Sequence, residues 1–212
     1  MLTELDRLKI AEELLKIKAV VINPNKPFRW ASGILSPIYC DNRKTLSYPK
    51  IRTSIRNAFV DCIREEFGKP DVIAGVATGG IAQGALVAHE MGLPFVYVRP
   101  EPKKHGMENQ VEGDLTSGQS VVVVEDLIST GGSSIKAIQA LKNAGAVVKG
   151  LVAVFTYGFD EAVNNFKKEN VIFHTLTDYQ TLIKVALEKE YITEAQYRIL
   201  ENWAQNPKEW KN

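Results

Sequence analysis

One rhythm occurs twice in this chain, and it limits the fold more than any other feature. VIAGV (Val72 to Val76) is a short apolar run, GGIAQGALVAHEMG follows at helical spacing and stops at Gly92, and PFVYV (Pro94 to Val98) is apolar again. VVVV (Val121 to Val124), a helical stretch from Ser133 to Ala144, a stop at Gly145 and VVKGLVAVF (Val147 to Phe155) repeat the pattern. Apolar runs without polar alternation suit strands buried on both faces, and a helix between two of them implies a parallel crossover. The expectation is an α/β fold: a central, mainly parallel sheet flanked by helices. Right-handed crossovers put strand ends and helix starts on one edge, where such sheets bind ligands. Towards the C-terminus, VIFHTL (Val171 to Leu176) reads as a further strand. Two Thr–Gln pairs follow, Thr177 with Gln180 and Thr193 with Gln196, each with the form of a capping box. That C-terminal part reads as structural, without chemistry of its own.

At 212 residues the chain is expected to form a single domain, residues 1–212. A small N-terminal hood takes roughly 20–45, the core roughly 50–180 and the C-terminal helices roughly 178–206. The hood is expected where Val21 to Arg43 breaks into Pro- and Gly-rich turns with Phe28, Trp30 and Tyr39 between them. Tyr48 to Phe67 returns to helical spacing, as does the N-terminus, where Leu5, Leu8, Ile10, Leu14, Leu15 and Ile17 make an apolar pattern interrupted by acids. That pattern lacks the continuous apolar core of a signal peptide, so a cytoplasmic location is expected. A formal net charge of +1 gives no global pull towards nucleic acid or an anionic membrane, so neither is expected as a partner. Cys40 and Cys62 are too few for a disulfide framework. His89 and His174 show no metal-ligand spacing.

The stretch VVVVEDLISTGGSS, Val121 to Ser134, raises the chemical question. Two carboxylates, Glu125 and Asp126, end a buried strand beside a small-residue loop. Gly131 and Gly132 let a ligand approach the main chain, Ser129, Thr130, Ser133 and Ser134 add hydroxyls, and the next helix begins with free N–H groups. Such a loop is an anion cradle, most naturally for phosphate. It holds no Lys and no G-x-G-x-x-G, so it is neither a Walker loop nor a dinucleotide fingerprint. Carboxylates beside a phosphate site make sense if the ligand also carries a diol: they accept its hydroxyls while the amides hold the phosphate. An ordinary strand followed by a capped turn is the plainer alternative.

This stretch resembles the phosphoribosyl pyrophosphate motif of the type I phosphoribosyltransferases. The resemblance implies that fold, with ribose hydroxyls on Glu125 and Asp126 and the 5′-phosphate on Leu127, Ile128, Ser129, Thr130, Gly131, Gly132 and Ser133. The family often has Asp where this chain has Glu125. Two more stretches resemble the orotate-specific branch. In YVRPEPKKHGMENQVEGDL, Tyr97 to Leu115, a polar segment between strands is expected to be a mobile loop. Its Arg99, Lys103 and His105 match that branch's catalytic loop, implying roles in binding the donor and in catalysis. Pro100 stands where many relatives have Lys, and no role passes to it. In PFRWASGILSPIYCDNR, Pro27 to Arg43, the aromatic-x-Ser-Gly-x-x-Ser-Pro pattern resembles the orotate-binding hood. Phe28 and Trp30 offer flat faces, although the aromatic core of a small hairpin would look the same. Ser129 matches a position that also touches orotate, and Lys26 is a weaker candidate. GVATGGIAQG, Gly75 to Gly84, matches a loop beside the pyrophosphate.

The resemblance further implies orotate and phosphoribosyl pyrophosphate as substrates, and a magnesium ion held mainly by substrate oxygens with no protein metal site. It implies a homodimer in which the Arg99 to Leu115 loop completes the neighbouring site. Asp126, with Glu125, would place negative charge near the sugar as positive charge develops there. Two other readings remain at this stage. One is a sister transferase for a purine or uracil, which would lack the hood and the Lys-x-His loop. The other is a non-enzymatic regulator binding RNA or a nucleotide, which predicts a strongly basic face.

Overall fold

The computed structural model of the chain describes residues 2–30, 33–101 and 110–210. Helix α1 (Glu4–Lys16) opens with a capping box in which the Thr3 hydroxyl accepts the Asp6 N–H and the Asp6 carboxylate accepts the Thr3 N–H. The hood follows, built from two antiparallel pairs: β1 (Val20–Ile22) with β4 (Ile38–Cys40), and β2 (Phe28–Arg29) with β3 (Leu35–Ser36). A 3-10 helix, Asn42–Ser47, leads into α2 (Pro49–Glu66). The core then alternates as expected: β5 (Val72–Val76), α3 (Gly79–Met91), β6 (Phe95–Val98), β7 (Val111–Glu112), β8 (Ser120–Ile128), α4 (Gly132–Asn143), β9 (Val147–Thr156), α5 (Asp160–Lys168) and β10 (Phe173–Asp178). Helices α6 (Tyr179–Glu188) and α7 (Glu194–Gln205) close the described chain.

Among the described residues the main sheet runs β10-β9-β8-β5-β6-β7, parallel throughout except for β6 with β7. Its central strands bury both faces. Val122 and Val124 of β8 join one apolar cluster with Ile73, Val152 and the inner sides of α1, α2 and α6. Val121 and Val123 join the other with Ala74, Leu151 and the inner sides of α4 and α5. Alternate side chains thus serve two cores, which is why VVVV shows no polar alternation. Each fully buried Val or Ile here contributes roughly 1.5–3 kcal/mol relative to exposure. At the helix stops, Gly92 and Gly145 take φ of +63° and +85°, the left-handed conformation that suits glycine.

Three expectations change. Leu5 is 74% exposed: it lies half a turn round the helix from Leu14, off the stripe of Ile10, Ala11, Leu14 and Leu15 that faces the core. The strand expected over Val171 to Leu176 is displaced to β10, whose pairing with β9 runs from Phe173 beside Leu151 to Asp178 beside Thr156. Thr177 is therefore buried inside the strand and caps nothing; Asp178 caps α6, accepting the Thr181 N–H at 2.9 Å. Thr193 and Gln196 do form the expected box on α7. Finally, the Arg99 to Leu115 segment is not a single loop. Val111 and Glu112 return as β7, because Val111 and Leu115 pack on the second apolar cluster.

Candidate active site

The site gathers at the C-terminal edge of the sheet, where β8 outruns its neighbour. Strand β5 pairs with β8 only as far as Val124, whereas β9 follows it to Ile128. Glu125 and Asp126 sit in this overhang. Glu125 is buried: one carboxylate oxygen accepts the Asp126 N–H at 2.9 Å and the other the Ser134 hydroxyl at 3.2 Å. Burial, then the charge of Asp126, pushes its pKa well above the ordinary carboxylate range. Burial also raises Asp126, against the pull of its bonding to Glu125 and the nearby Arg43 charge. Two acids packed so closely favour holding a proton between them, and a ligand that donates hydroxyls relieves the same strain.

The turn from β5 into α3 lies directly against this pair. A Cβ on Gly79 would collide with the Asp126 carboxylate, and one on Gly80 with the Val124 carbonyl. Only glycine permits the approach, so GVATGG brings a helix N-terminus up to the acids. On the other side, β8 passes through Ser129 and Thr130 into α4. Gly131 has φ +79°, and a side chain there would press on the Phe166 ring. The Thr130 carbonyl is tied down by Asn165 Nδ2 at 2.9 Å. Gly132 and Ser133 are exposed at the start of α4, so the free N–H groups of its first turn face outward beside the acids.

Arg99 stands at the far side of this cradle. Its N–H donates to the Gln110 carbonyl at 2.9 Å, and its guanidinium lies 3.5 Å from Glu112. With Val76, Ala77, Ser133 and Lys136 it lines a cleft of about 250 Å³. Lys103 and His105 fall outside the described residues.

A second cleft, about 560 Å³, opens on the opposite side of the loop. Trp30 and Ile34 come from the hood, Ser129 and Thr130 from the loop between β8 and α4, Phe159 from beyond β9, and 204–208 from the end of α7. Trp30 also packs in an aromatic cluster, 4.8 Å from Tyr157 and 5.8 Å from Trp203 between ring centres. The Trp203 indole N–H bonds the Leu35 carbonyl at 3.0 Å, fastening hood to α7. Phe28 instead packs on Tyr39 at 5.6 Å, and neither it nor Lys26 is among the cleft's described lining. A groove of similar size between α1 and α2, about 600 Å³, carries mixed charges such as Asp6, Lys9 and Asp61 but no glycine-rich loop.

The geometry thus brings a glycine-rich helix start, a carboxylate pair and a mixed cleft with aromatic faces at Trp30 and Phe159 onto one loop. The family described as Phosphoribosyl transferase domain matches residues 44–182. An orotate phosphoribosyltransferase of Cytophaga hutchinsonii is 53% identical over 203 residues, covering 96% of this chain and 97% of that one. The chain belongs to the orotate phosphoribosyltransferases. A Porphyromonas gingivalis orotate phosphoribosyltransferase is 55% identical over 201 residues, 95% of this chain and 96% of that one. The solved orotate phosphoribosyltransferase of Aeropyrum pernix superposes with a TM-score of 0.75 at 28% identity, covering 87% of this chain and 99% of that one.

Several features of the site are set by the fold rather than by a local sequence pattern. Ser134, expected to add a hydroxyl to the loop, instead donates to Glu125. Lys136, one turn into α4, shares a cleft with Arg99, which helical spacing after the loop could have suggested. The 204–208 segment, read as structural, forms a wall of the aromatic cleft. No local signal marks it.

Proposed function

We propose that the edge of β8 binds phosphoribosyl pyrophosphate and that the cleft beside it binds orotate, giving orotidine 5′-phosphate and pyrophosphate in de novo UMP synthesis. The observation that carries this reading is the contiguity of Glu125 and Asp126 with the loop and helix start at Ser129 to Ser133. The 5′-phosphate lies on the loop amides and the N-terminus of α4, with the ribose diol against the acids. Asp126, less buried than Glu125, offers the more open carboxylate. Glu125, bonded to Ser134 and to the Asp126 main chain, holds the pair in place and accepts a hydroxyl as the ligand enters.

Orotate enters beside Trp30 and Ser129. Its N1 bonds C1′ as the C1′–O bond breaks, the electron pair leaves on pyrophosphate, and the N1 proton passes to an oxygen of that pyrophosphate. Charge is then the main demand. Arg99, Lys103 and His105 are cations suited to the departing pyrophosphate, and the α3 N-terminus at Gly79 faces the same region. The carboxylate pair offsets positive charge on the ribose. The described residues hold no cluster of three or more His, Cys, Asp or Glu side chains suited to a metal. A magnesium ion is proposed to enter with the donor and would be held mainly by substrate oxygens. When bound, the ion neutralises leaving-group charge.

The chain is further proposed to act as a cytoplasmic homodimer. Support for the dimer is the resemblance of the Arg99 to Leu115 stretch to a catalytic loop that completes the neighbouring site. No described helix is long and apolar enough to cross a membrane. Supplying orotate, phosphoribosyl pyrophosphate and magnesium and following loss of orotate absorbance tests the reaction, with uracil and adenine in parallel. Turnover with orotate alone is expected; turnover with adenine or uracil instead overturns the base assignment. Mixing Lys103→Ala chains with Asp126→Asn chains should restore part of the activity if the loop acts across a dimer, and no recovery contradicts that arrangement.

A further inference from the structure

The overhang of β8 leaves a physical problem. Beyond Val124 the strand has no β5 neighbour, and main-chain groups on that side need other partners. One arrives from 84 residues away: Asn42 Nδ2 donates to the Asp126 main-chain carbonyl at 2.6 Å. Asn42 is 2% exposed and begins the 3-10 helix that follows hood strand β4. Its Oδ1 accepts the Cys40 thiol at 3.2 Å. Burial, then the charges of Asp126 and Asp41, keeps that thiol protonated and therefore a donor. The Asn42 carbonyl accepts the Thr45 hydroxyl at 2.6 Å, and that hydroxyl accepts Gln83 Nε2 of α3 at 3.1 Å. The amide is held on both of its polar ends, so it has one orientation, with its N–H directed at Asp126.

We propose that Asn42 is a positioning residue for the acidic pair. It fixes the main chain of Asp126 so that the carboxylate, backed by Gly79, faces the ribose diol. Its anchorage through Cys40 and β4 joins the base-binding hood to the sugar site as one rigid unit. This rests on the reading that Glu125 and Asp126 hold the ribose. A structural amide alone would stabilise the fold without favouring one substrate. A positioning amide makes its loss felt in affinity for the sugar donor.

The test compares Asn42→Asp, Asn42→Ser, Cys40→Ala and Asp126→Asn by direct titration with phosphoribosyl pyrophosphate, steady-state kinetics and thermal melting. Asn42→Asp keeps the volume and the acceptor for Cys40 but loses the donor; Asn42→Ser is smaller and guards against charge effects. Both should weaken donor binding roughly tenfold, the worth of one buried hydrogen bond to a carbonyl, and raise the donor KM more than the orotate KM. Cys40→Ala should lower the melting temperature and weaken donor affinity less than either Asn42 variant, since the Asn42–Asp126 bond remains while one anchor of the amide is lost. Parent-like donor binding in both Asn42 variants, or equal rises in both KM values, would overturn the positioning role while a weakened Asp126→Asn leaves the ribose reading intact. If Asp126→Asn itself binds the donor as tightly as the parent, the ribose reading fails and the role of Asn42 with it.

Discussion

The two clefts flanking the Ser129–Thr130 loop are built in opposite ways. The side proposed to take phosphoribosyl pyrophosphate has its acids and loop in one stretch: Glu125 to Ser134 run continuously from β8 into α4, joined by the glycine turn at Gly79, by Asn42 behind Asp126 and by Arg99 across the cradle. The base side is assembled from distant pieces, Trp30 and Ile34, Ser129 and Thr130, Phe159, and the 204–208 segment. Phosphate and a diol ask for amides and carboxylates at short, fixed spacing, which one strand–loop–helix unit supplies. A flat base asks for enclosure, and enclosure needs several elements brought together by the fold. Alteration of the first side should therefore be felt as charge and hydrogen-bond chemistry, and alteration of the second as packing.

The largest effect expected from this contrast is on the charge side. Lys103→Ala should leave donor binding partly intact and lower turnover roughly 10²–10³-fold, as for other preorganised charge stabilisers. Single-turnover and steady-state rates measure it; turnover close to the parent's would remove Lys103 from the chemistry. Next comes the packing side. Trp30→Ala removes an aromatic wall shared with Tyr157 and Trp203. It should raise the orotate KM roughly tenfold with little change in donor KM, in line with the worth of an aromatic contact. A parallel rise in donor KM would show that the two clefts are not separable.

A smaller effect concerns pH. The carboxyl of Glu125 is raised in the folded protein above its ordinary value of 4.5, chiefly by burial. An acid raised by folding holds its proton more tightly in the native state, so its contribution is complete below the unfolded value and is lost as pH rises through the folded one. Melting temperature of the ligand-free protein should therefore fall as pH climbs above about 4.5, the ordinary glutamate value, and Glu125→Gln should flatten that fall. An unchanged slope in Glu125→Gln would place the pH dependence elsewhere. The smallest effect concerns the cap of α6, whose residue is not part of either cleft's described lining. Asp178→Ala removes the α6 cap and the Arg7 partner at 2.9 Å, and should cost about 0.5–2 kcal/mol of stability without altering either KM.

The same contrast explains what the sequence made legible. The order of strands and helices in the core followed from apolar runs and glycine stops, because each element's burial is written in its own residues. The carboxylate pair and the glycine-rich loop were legible as a local unit for the same reason. Thr177 misled because its spacing to Gln180 satisfies a capping pattern, while the pairing of β10 with β9 carries the strand two residues further and hands the cap to Asp178. Asn42 and the 204–208 wall were invisible because each acts on a partner more than seventy residues away, and no local pattern encodes that meeting. The assignments of Lys103 and His105 rest on resemblance alone.

The central claim is that Glu125 and Asp126 take the ribose hydroxyls while the main chain from Thr130 to Ser133 takes the 5′-phosphate. A crystal structure with phosphoribosyl pyrophosphate bound tests it most directly. The account predicts both hydroxyls within hydrogen-bonding distance of the two carboxylates and the phosphate seated on the α4 N-terminus. A donor bound elsewhere, or one lying in the cleft with its diol turned away from the acids, would contradict it.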